Sequence, residues 1–165
     1  GWWHTQPVNG GSSTLTGAEI NFEYQLKFLP GFLDGFGIAA NYAYTHSTAD
    51  VGDRLTRSEL PGQAANVANF ILSYETFGFT GRLSVGYNGK FIEEVGENAS
   101  WDRIYKEHTQ VDFSASQDIM KGLQLYFEWV NVNKAPLIYY QGDENHPLQQ
   151  EWYSYWMHFG LKYKM

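Results

Sequence analysis

Residues 18–28, AEINFEYQLKF, alternate between apolar and polar side chains without interruption. Ala18, Ile20 and Phe22 are apolar members of this pattern, whereas Glu19 and Asn21 are polar members. A period of two over this length predicts one extended strand with an apolar face and a polar face. Residues 36–45 alternate in the same way after a turn at 29–35, so the two segments predict an antiparallel hairpin.

The same alternation recurs along the rest of the chain. Further strands are predicted at residues 68–75, 79–91, 110–119, 123–129 and 153–165. Tight turns are predicted at 29–35, 76–78 and 120–122, and long polar loops at 47–66, 93–104 and 131–150. Short turns on one side and long loops on the other are typical of an outer-membrane barrel.

Composition supports strands and excludes several other classes of protein. Aromatic residues make up 18% of the chain, which favours pleated strands over helices. No run approaches the roughly 18 consecutive apolar residues that a membrane helix needs. Cysteine is absent, so no disulfide or thiolate site is expected. The net charge of −7 disfavours nucleic acid as a partner, because phosphate binding needs a concentrated basic patch.

The sequence therefore predicts an all-β fold, an antiparallel up-and-down transmembrane β-barrel fragment of about seven long strands. Its short turns are expected in the periplasm and its long loops outside the cell. A soluble sandwich or lipocalin-like barrel could share the alternation. Several of the predicted strands, however, exceed the length of about five or six residues that is usual in globular sheets.

The register predicts which side chains face lipid and which face a wet lumen. The predicted lipid-facing residues are Ile20, Phe22, Phe70, Leu83, Val85, Phe113, Leu125, Phe127 and Phe159. The predicted lumen-facing residues are Glu23, Asn41, Asn69, Arg82, Asp112 and Glu128. Because a buried charge is costly without a partner, Arg82 is expected to have a carboxylate within reach or to face a polar plug surface.

Five stretches carry a resemblance to a known family. They are LPGFLDGFGIAANYAYTHS ending at residue 47, LPGQAANVANFILSYE at 60–75, GFTGRLSVGYNGKF at 78–91, VDFSASQDIMKGLQLYFEWVNVNKAP at 111–136, and FGLKYKM at the end. In this order and spacing the chain resembles the carboxy-terminal barrel of TonB-dependent outer-membrane receptors. The final stretch is similar to the strand that the outer-membrane assembly machinery recognises, although Met165 stands where an aromatic residue is usual.

The resemblance implies a bacterial outer-membrane location and energy-coupled uptake of a scarce, bulky nutrient: an iron chelate, a vitamin or an oligosaccharide. It also implies an amino-terminal plug domain that is pulled by TonB. Residues 1–165 are accordingly expected to be the carboxy-terminal part of a barrel domain, with the plug and earlier strands absent. The expected partners are outer-membrane lipid, the plug, TonB, the assembly machinery and the nutrient.

The predicted loops hold the candidate ligand contacts. These are Trp101, Asp102, Arg103, Tyr105, Tyr139, Tyr140 and Trp152, and some of the aromatic rings could stack on the apolar face of a ligand such as a sugar. No catalytic constellation stands out, and the five histidines lack the close spacing of a zinc motif, so no enzyme activity, metal or cofactor is expected. The acidic loop around Glu93 and Glu97 is interpreted as a solvated surface.

Two other functions remain open at this stage. A passive porin or a small structural barrel would use the same wall without a plug. A secreted β-sandwich that binds carbohydrate would use the alternation in a soluble fold.

Overall fold

The computed structural model describes residues 11–51 and 57–164. Antiparallel strands dominate these residues. The strands are β1 (Ser13–Gln25), β2 (Phe36–Ala49), β3 (Asn66–Thr76), β4 (Phe79–Asn88), β5 (Phe91–Glu94), β6 (Arg103–Tyr105), β7 (His108–Met120), β8 (Leu123–Val130), β9 (Leu137–Gln141), β10 (Pro147–Glu151) and β11 (Trp156–Tyr163). Short 3-10 helices occupy Gly31–Gly35 and Ala99–Trp101.

The long strands form one seven-stranded sheet in the order β1-β2-β3-β4-β7-β8-β11. Each strand pairs with its neighbours in antiparallel fashion, and the described part of the sheet shows no pairing between β1 and β11. The described sheet is therefore open, and the prediction of an up-and-down antiparallel fragment with about seven long strands is confirmed.

The sequence did not predict a second sheet. The predicted loops 93–104 and 131–150 contain β6, β9 and β10, which join β5 in a four-stranded sheet of order β10-β9-β6-β5. The segments were predicted as long polar loops, and the short strands within them were not expected. Because the chain runs from β4 into β5 and from β6 into β7, this smaller sheet follows the ends of the long strands that lie away from the tight turns.

Turn chemistry fits the tight connections. Phe77 and Gly78 join β3 to β4 with φ angles of 45° and 74°, as a two-residue turn with two left-handed positions requires. The first strand ends at Gln25, earlier than residue 28, because Leu29 donates its N–H to the Leu26 carbonyl and closes a turn.

The register places apolar side chains on one face of the larger sheet and most polar side chains on the other, with Ala39 and Ile71 as exceptions on the polar face. Phe22, Ala40, Phe70, Val85 and Val111 follow one another across five strands in directly paired positions. On the opposite face, the next row reads Glu23, Ala39, Ile71, Ser84 and Asp112.

The apolar row does not pack into a core. Ile20 is 67% exposed and Phe159 78% exposed, and no large side chain of the described residues is fully buried. Soluble monomers rarely expose so large a contiguous apolar surface, so this face must be shielded from water. In a barrel wall, the hydrocarbon of the bilayer shields it.

Candidate functional site

The polar face of the seven-stranded sheet carries the six residues that were predicted to face a lumen. Asn41 and Asn69 are paired positions on β2 and β3, and the Asn69 amide donates to Asn41 Oδ1 at 2.9 Å. A concavity of about 540 Å³ over this face is lined mostly by polar side chains, and one of about 350 Å³ is lined by polar and apolar residues in equal number. That the face borders a lumen remains a prediction.

Arg82 lines the larger of these two concavities and is exposed. Across the sheet its row continues through Ser114 on β7, Glu128 on β8 and His158 on β11. The Glu128 carboxylate lies 3.6 Å from His158 Nδ1. Within residues 11–51 and 57–164, no carboxylate lies within ion-pair distance of Arg82. Of the two expectations for Arg82, these residues provide no carboxylate partner, and contact with a polar plug surface stays a prediction.

Asp112 shares the polar face, but its oxygens are already engaged. Gln110 donates to both carboxylate oxygens at 2.9 and 3.1 Å, and the Asn131 backbone N–H donates to one of them at 2.8 Å. Asp112 therefore fixes the turn that follows β8. The same turn is tied to β7 by Asn133, whose amide donates to the Thr109 carbonyl at 2.7 Å.

The four-stranded sheet brings together three of the seven predicted ligand contacts. Tyr105 and Tyr139 are paired positions whose ring centroids lie 5.2 Å apart, and Phe91 lies 5.0 Å from Tyr105 on the other side. The Arg103 guanidinium lies 4.7 Å above the Tyr139 ring, which is a favourable cation–π distance. Burial, and secondarily the neighbouring Tyr139, raises the pKa of the Tyr105 phenol.

Arg103 also connects the outer strands of this sheet. Its Nε lies 2.6 Å from Glu93 Oε2, although the N–H direction is unsuited to a hydrogen bond, so the contact is an ion pair. Its Nη2 donates to Gln149 Oε1 on β10 at 2.9 Å. Gln149 and Tyr153 both donate to the Glu151 carboxylate in short hydrogen bonds. A continuous polar network therefore crosses the sheet from β5 to β10.

Two of the predicted ligand contacts are buried. Asp102 and Tyr140 are each only 3% exposed. Asp102 accepts the Gly96 N–H at 2.9 Å through its side chain, and its carbonyl accepts the Gly142 N–H at 3.0 Å. Burial raises the pKa of Tyr140. Both residues shape the smaller sheet and present little surface to a ligand.

The remaining two candidates, Trp101 and Trp152, are 64% and 73% exposed. Trp101 lines a cavity of about 530 Å³ together with Gln141, Asp143 and His146. Asp143 and His146 form an exposed pair, with Oδ1 3.1 Å from Nδ1.

Sequence reasoning missed several residues of this region as ligand-side candidates. These residues are Glu93, Gln149, Asp143 and His146, and no local motif marks them. Gln149 lies 46 residues from Arg103 along the chain, and Asp143 and His146 share a cavity with Trp101, which is distant in sequence. The only sequence signal was the density of aromatic and acidic residues in the two long connections.

Neither a metal centre nor a membrane helix is found in the described ranges. No group of three or more His, Cys, Asp or Glu residues there is arranged to hold a metal ion. No helix there is long and apolar enough to cross a membrane. Met165, which the terminal stretch includes, lies outside the described residues.

An open antiparallel sheet with one apolar face, one polar face, and tight turns opposite long connections defines the class of transmembrane β-barrel walls. The family model described as TonB dependent receptor-like, beta-barrel matches residues 2–132, and the chain belongs to this family. No curated protein and no solved structure matches the chain. Membership makes the chain part of an outer-membrane transport receptor and not an enzyme.

Proposed function

We propose that this chain forms part of the wall of a receptor that imports a bulky nutrient across the bacterial outer membrane with energy delivered through TonB. The observation that carries the proposal is the separation of side chains into an exposed apolar face and a polar face across a sheet whose two edges are unpaired among the described residues. Lipid covers the first face, and the second lines the interior of the barrel.

The two unpaired edges support a larger barrel. Open edges such as those of β1 and β11 invite pairing with other chains unless they are covered. In the proposed receptor, further strands of the same barrel cover both edges. Residues 1–165 are then the carboxy-terminal part of the barrel domain, and β11 is the strand that the assembly machinery recognises.

The polar face meets the plug in this proposal. Glu23, Asn41, Asn69, Arg82, Asp112 and Glu128 face the interior. Arg82 supports the arrangement because its guanidinium is exposed in a concavity of about 540 Å³ without a carboxylate among the described residues. A carboxylate on the plug would supply the missing countercharge.

The four-stranded sheet forms the outer mouth and contacts the nutrient. It follows the ends of the long strands opposite the tight turns, which supports an extracellular position for it, because long connections of outer-membrane barrels face outwards. Trp101, Arg103, Tyr105, Tyr139 and Trp152 provide its ligand-contacting side chains. Asp102 and Tyr140 hold its shape from buried positions.

Uptake by cells that carry the intact receptor tests this proposal. We expect a radiolabelled ferric chelate, cobalamin or neutral oligosaccharide to accumulate in these cells, and accumulation to stop when TonB is deleted or the proton gradient is collapsed. Receptor-deleted cells provide the baseline. Receptor-dependent uptake that continues without TonB would instead establish a passive porin. If the protein dissolves in water without detergent, it would be a secreted sandwich.

A further inference from the structure

Trp101 is an exposed indole on a backbone that several hydrogen bonds hold in place. The Asn98 side chain accepts the Ser100 N–H at 3.0 Å, and the Asn98 carbonyl accepts the Trp101 N–H at 2.9 Å. Asp102, which follows Trp101, is buried, and its carboxylate accepts the Gly96 N–H at 2.9 Å. A large apolar side chain that is 64% exposed on a fixed backbone is preorganised for contact with a ligand.

Two glycines allow other segments of the chain to pack closely against the turn that carries Trp101. A Cβ at Gly96 would lie 2.5 Å from the Trp101 Cβ, and a Cβ at Gly142 would lie 2.7 Å from the Ser100 carbonyl oxygen. Gly142 also has a φ of +68°, which other residues rarely adopt. The turn carrying Trp101 and the turn after β9 therefore pack directly against each other.

The cavity between these turns has the size and lining of a small-ligand site. Its volume of about 530 Å³ lies within the range of roughly 300–1,000 Å³ that ligand pockets occupy. Trp101 provides an apolar wall, while Ser100, Gln141, Asp143 and His146 contribute polar groups. Such a lining suits a ligand with one apolar face and several hydroxyl groups.

Charge in the cavity further limits the class of ligand that it can bind. The Asn145 backbone N–H, followed by the His146 side chain, lowers the pKa of Asp143. Like any aspartate with an ordinary or lowered pKa, Asp143 is ionised at neutral pH and can accept hydrogen bonds. A carboxylate in the cavity lining disfavours an anionic group beside it. A neutral polyhydroxylated ring can donate hydroxyl protons to Asp143 and lay its C–H face on the indole.

We infer that this cavity binds one sugar ring of a neutral oligosaccharide. The inference rests on the proposed function and names the nutrient class of the same receptor. Trp101 stacks against the ring, and Asp143 accepts hydrogen bonds from its hydroxyl groups. His146 holds Asp143 in place through the 3.1 Å contact.

Calorimetric titration of the intact detergent-solubilised receptor tests the inference. The probes are maltohexaose, cellohexaose, laminarihexaose and chitohexaose. We expect one of them to bind. Trp101→Ala should weaken its affinity by roughly tenfold to a hundredfold, because the exposed indole becomes buried against the ligand and aromatic side chains buried on binding contribute much of the affinity. Trp101→Phe should retain part of the affinity. Asp143→Asn should weaken binding while its side-chain oxygen can still accept the Asn145 N–H.

Phe77→Ala is the matched control, because Phe77 is 95% exposed and lies in the tight turn at the opposite end of the sheet. It should bind the sugar as the unaltered receptor does. Failure of all four hexasaccharides to bind, or normal binding by Trp101→Ala, would overturn the inference. TonB-dependent uptake of a ferric chelate that Trp101→Ala leaves intact would overturn it too, yet would leave the proposed receptor function standing.

Discussion

Arg103 lies on β6 and contacts side chains on each of the other three strands of the smaller sheet. It makes an ion pair with Glu93, donates to Gln149 and lies above the Tyr139 ring. Each contact is modest because the side chains are partly exposed, and exposed ion pairs contribute about 0–1 kcal/mol. Their combined effect depends on one guanidinium satisfying all three partners in a fixed geometry.

Replacing Arg103 tests this arrangement. We expect Arg103→Ala to destabilise the smaller sheet by about 1–2 kcal/mol, since it removes the ion pair, a hydrogen bond and a cation–π contact together. Arg103→Lys should recover only part of that loss, because an ammonium group lacks the planar fork. Hydrogen exchange of the Ile104 and Tyr140 amides in the intact receptor measures the effect.

Lys90→Ala provides the control, since Lys90 is an exposed cation between β4 and β5. Equal protection of the amides in Arg103→Ala and in Lys90→Ala would show that the network does not support the sheet.

At the scale of a single strand, the two faces should tolerate a charged side chain to different extents. Leu83 and Ser84 are adjacent on β4, and Leu83 lies between Leu72 and Phe113 on the apolar face. We expect Leu83→Arg to destabilise the barrel by about 2–4 kcal/mol near the middle of the bilayer. Ser84→Arg should cost much less, because the guanidinium then enters the polar side. Equilibrium unfolding in lipid vesicles compares the two variants, and equal losses would refute the assignment of faces.

The connection after β8 is a second feature at the scale of the element. Asn131 is 8% exposed, has a φ of +56°, and accepts the Ala135 N–H at 2.8 Å through its side chain. We expect Asn131→Ala to lower stability by about 2–3 kcal/mol, because it leaves a buried donor unsatisfied and strains the left-handed backbone. Asn131→Asp keeps an acceptor and should cost less.

The loss of heat-resistant migration in a denaturing gel measures the stability of each Asn131 variant. An alanine variant that resists heat as well as the aspartate variant would exclude this role for the side chain.

The length of a strand explains whether the sequence pattern could predict it. The strands of the larger sheet have 8–14 residues, long enough for a period of two to be recognised. In the smaller sheet, β5, β6, β9 and β10 have 3–5 residues, and two register shifts interrupt their pairing. Alternation over so few residues cannot be distinguished from a loop.

The open sheet is a property of the whole molecule, and cross-linking can test it because this chain contains no cysteine. Tyr24 and Ile38 are paired positions on β1 and β2. In the intact receptor, with any other cysteines removed, we expect the double variant Tyr24→Cys/Ile38→Cys to form a disulfide, because directly paired residues lie about 4.5–5.5 Å apart.

The matched double variant Tyr24→Cys/Leu161→Cys places one cysteine on each edge strand. It should stay reduced under the same oxidant, since β1 and β11 do not pair in the described sheet. A disulfide between these two positions would mean that the barrel closes at seven strands.

The sequence by itself determined the fold class, the long strands and the separation of their faces. Alternation is local, and burial of one face by lipid enforces it at every second residue. Only the tertiary structure decided how the long connections are arranged. Pairing of β6 with β9 brings Arg103 to Tyr139 and Gln149, and it buries Asp102 and Tyr140. Whether Arg82 meets a carboxylate of this chain could not be decided from the sequence either, because contacts between distant segments depend on register and turn geometry that no local pattern records.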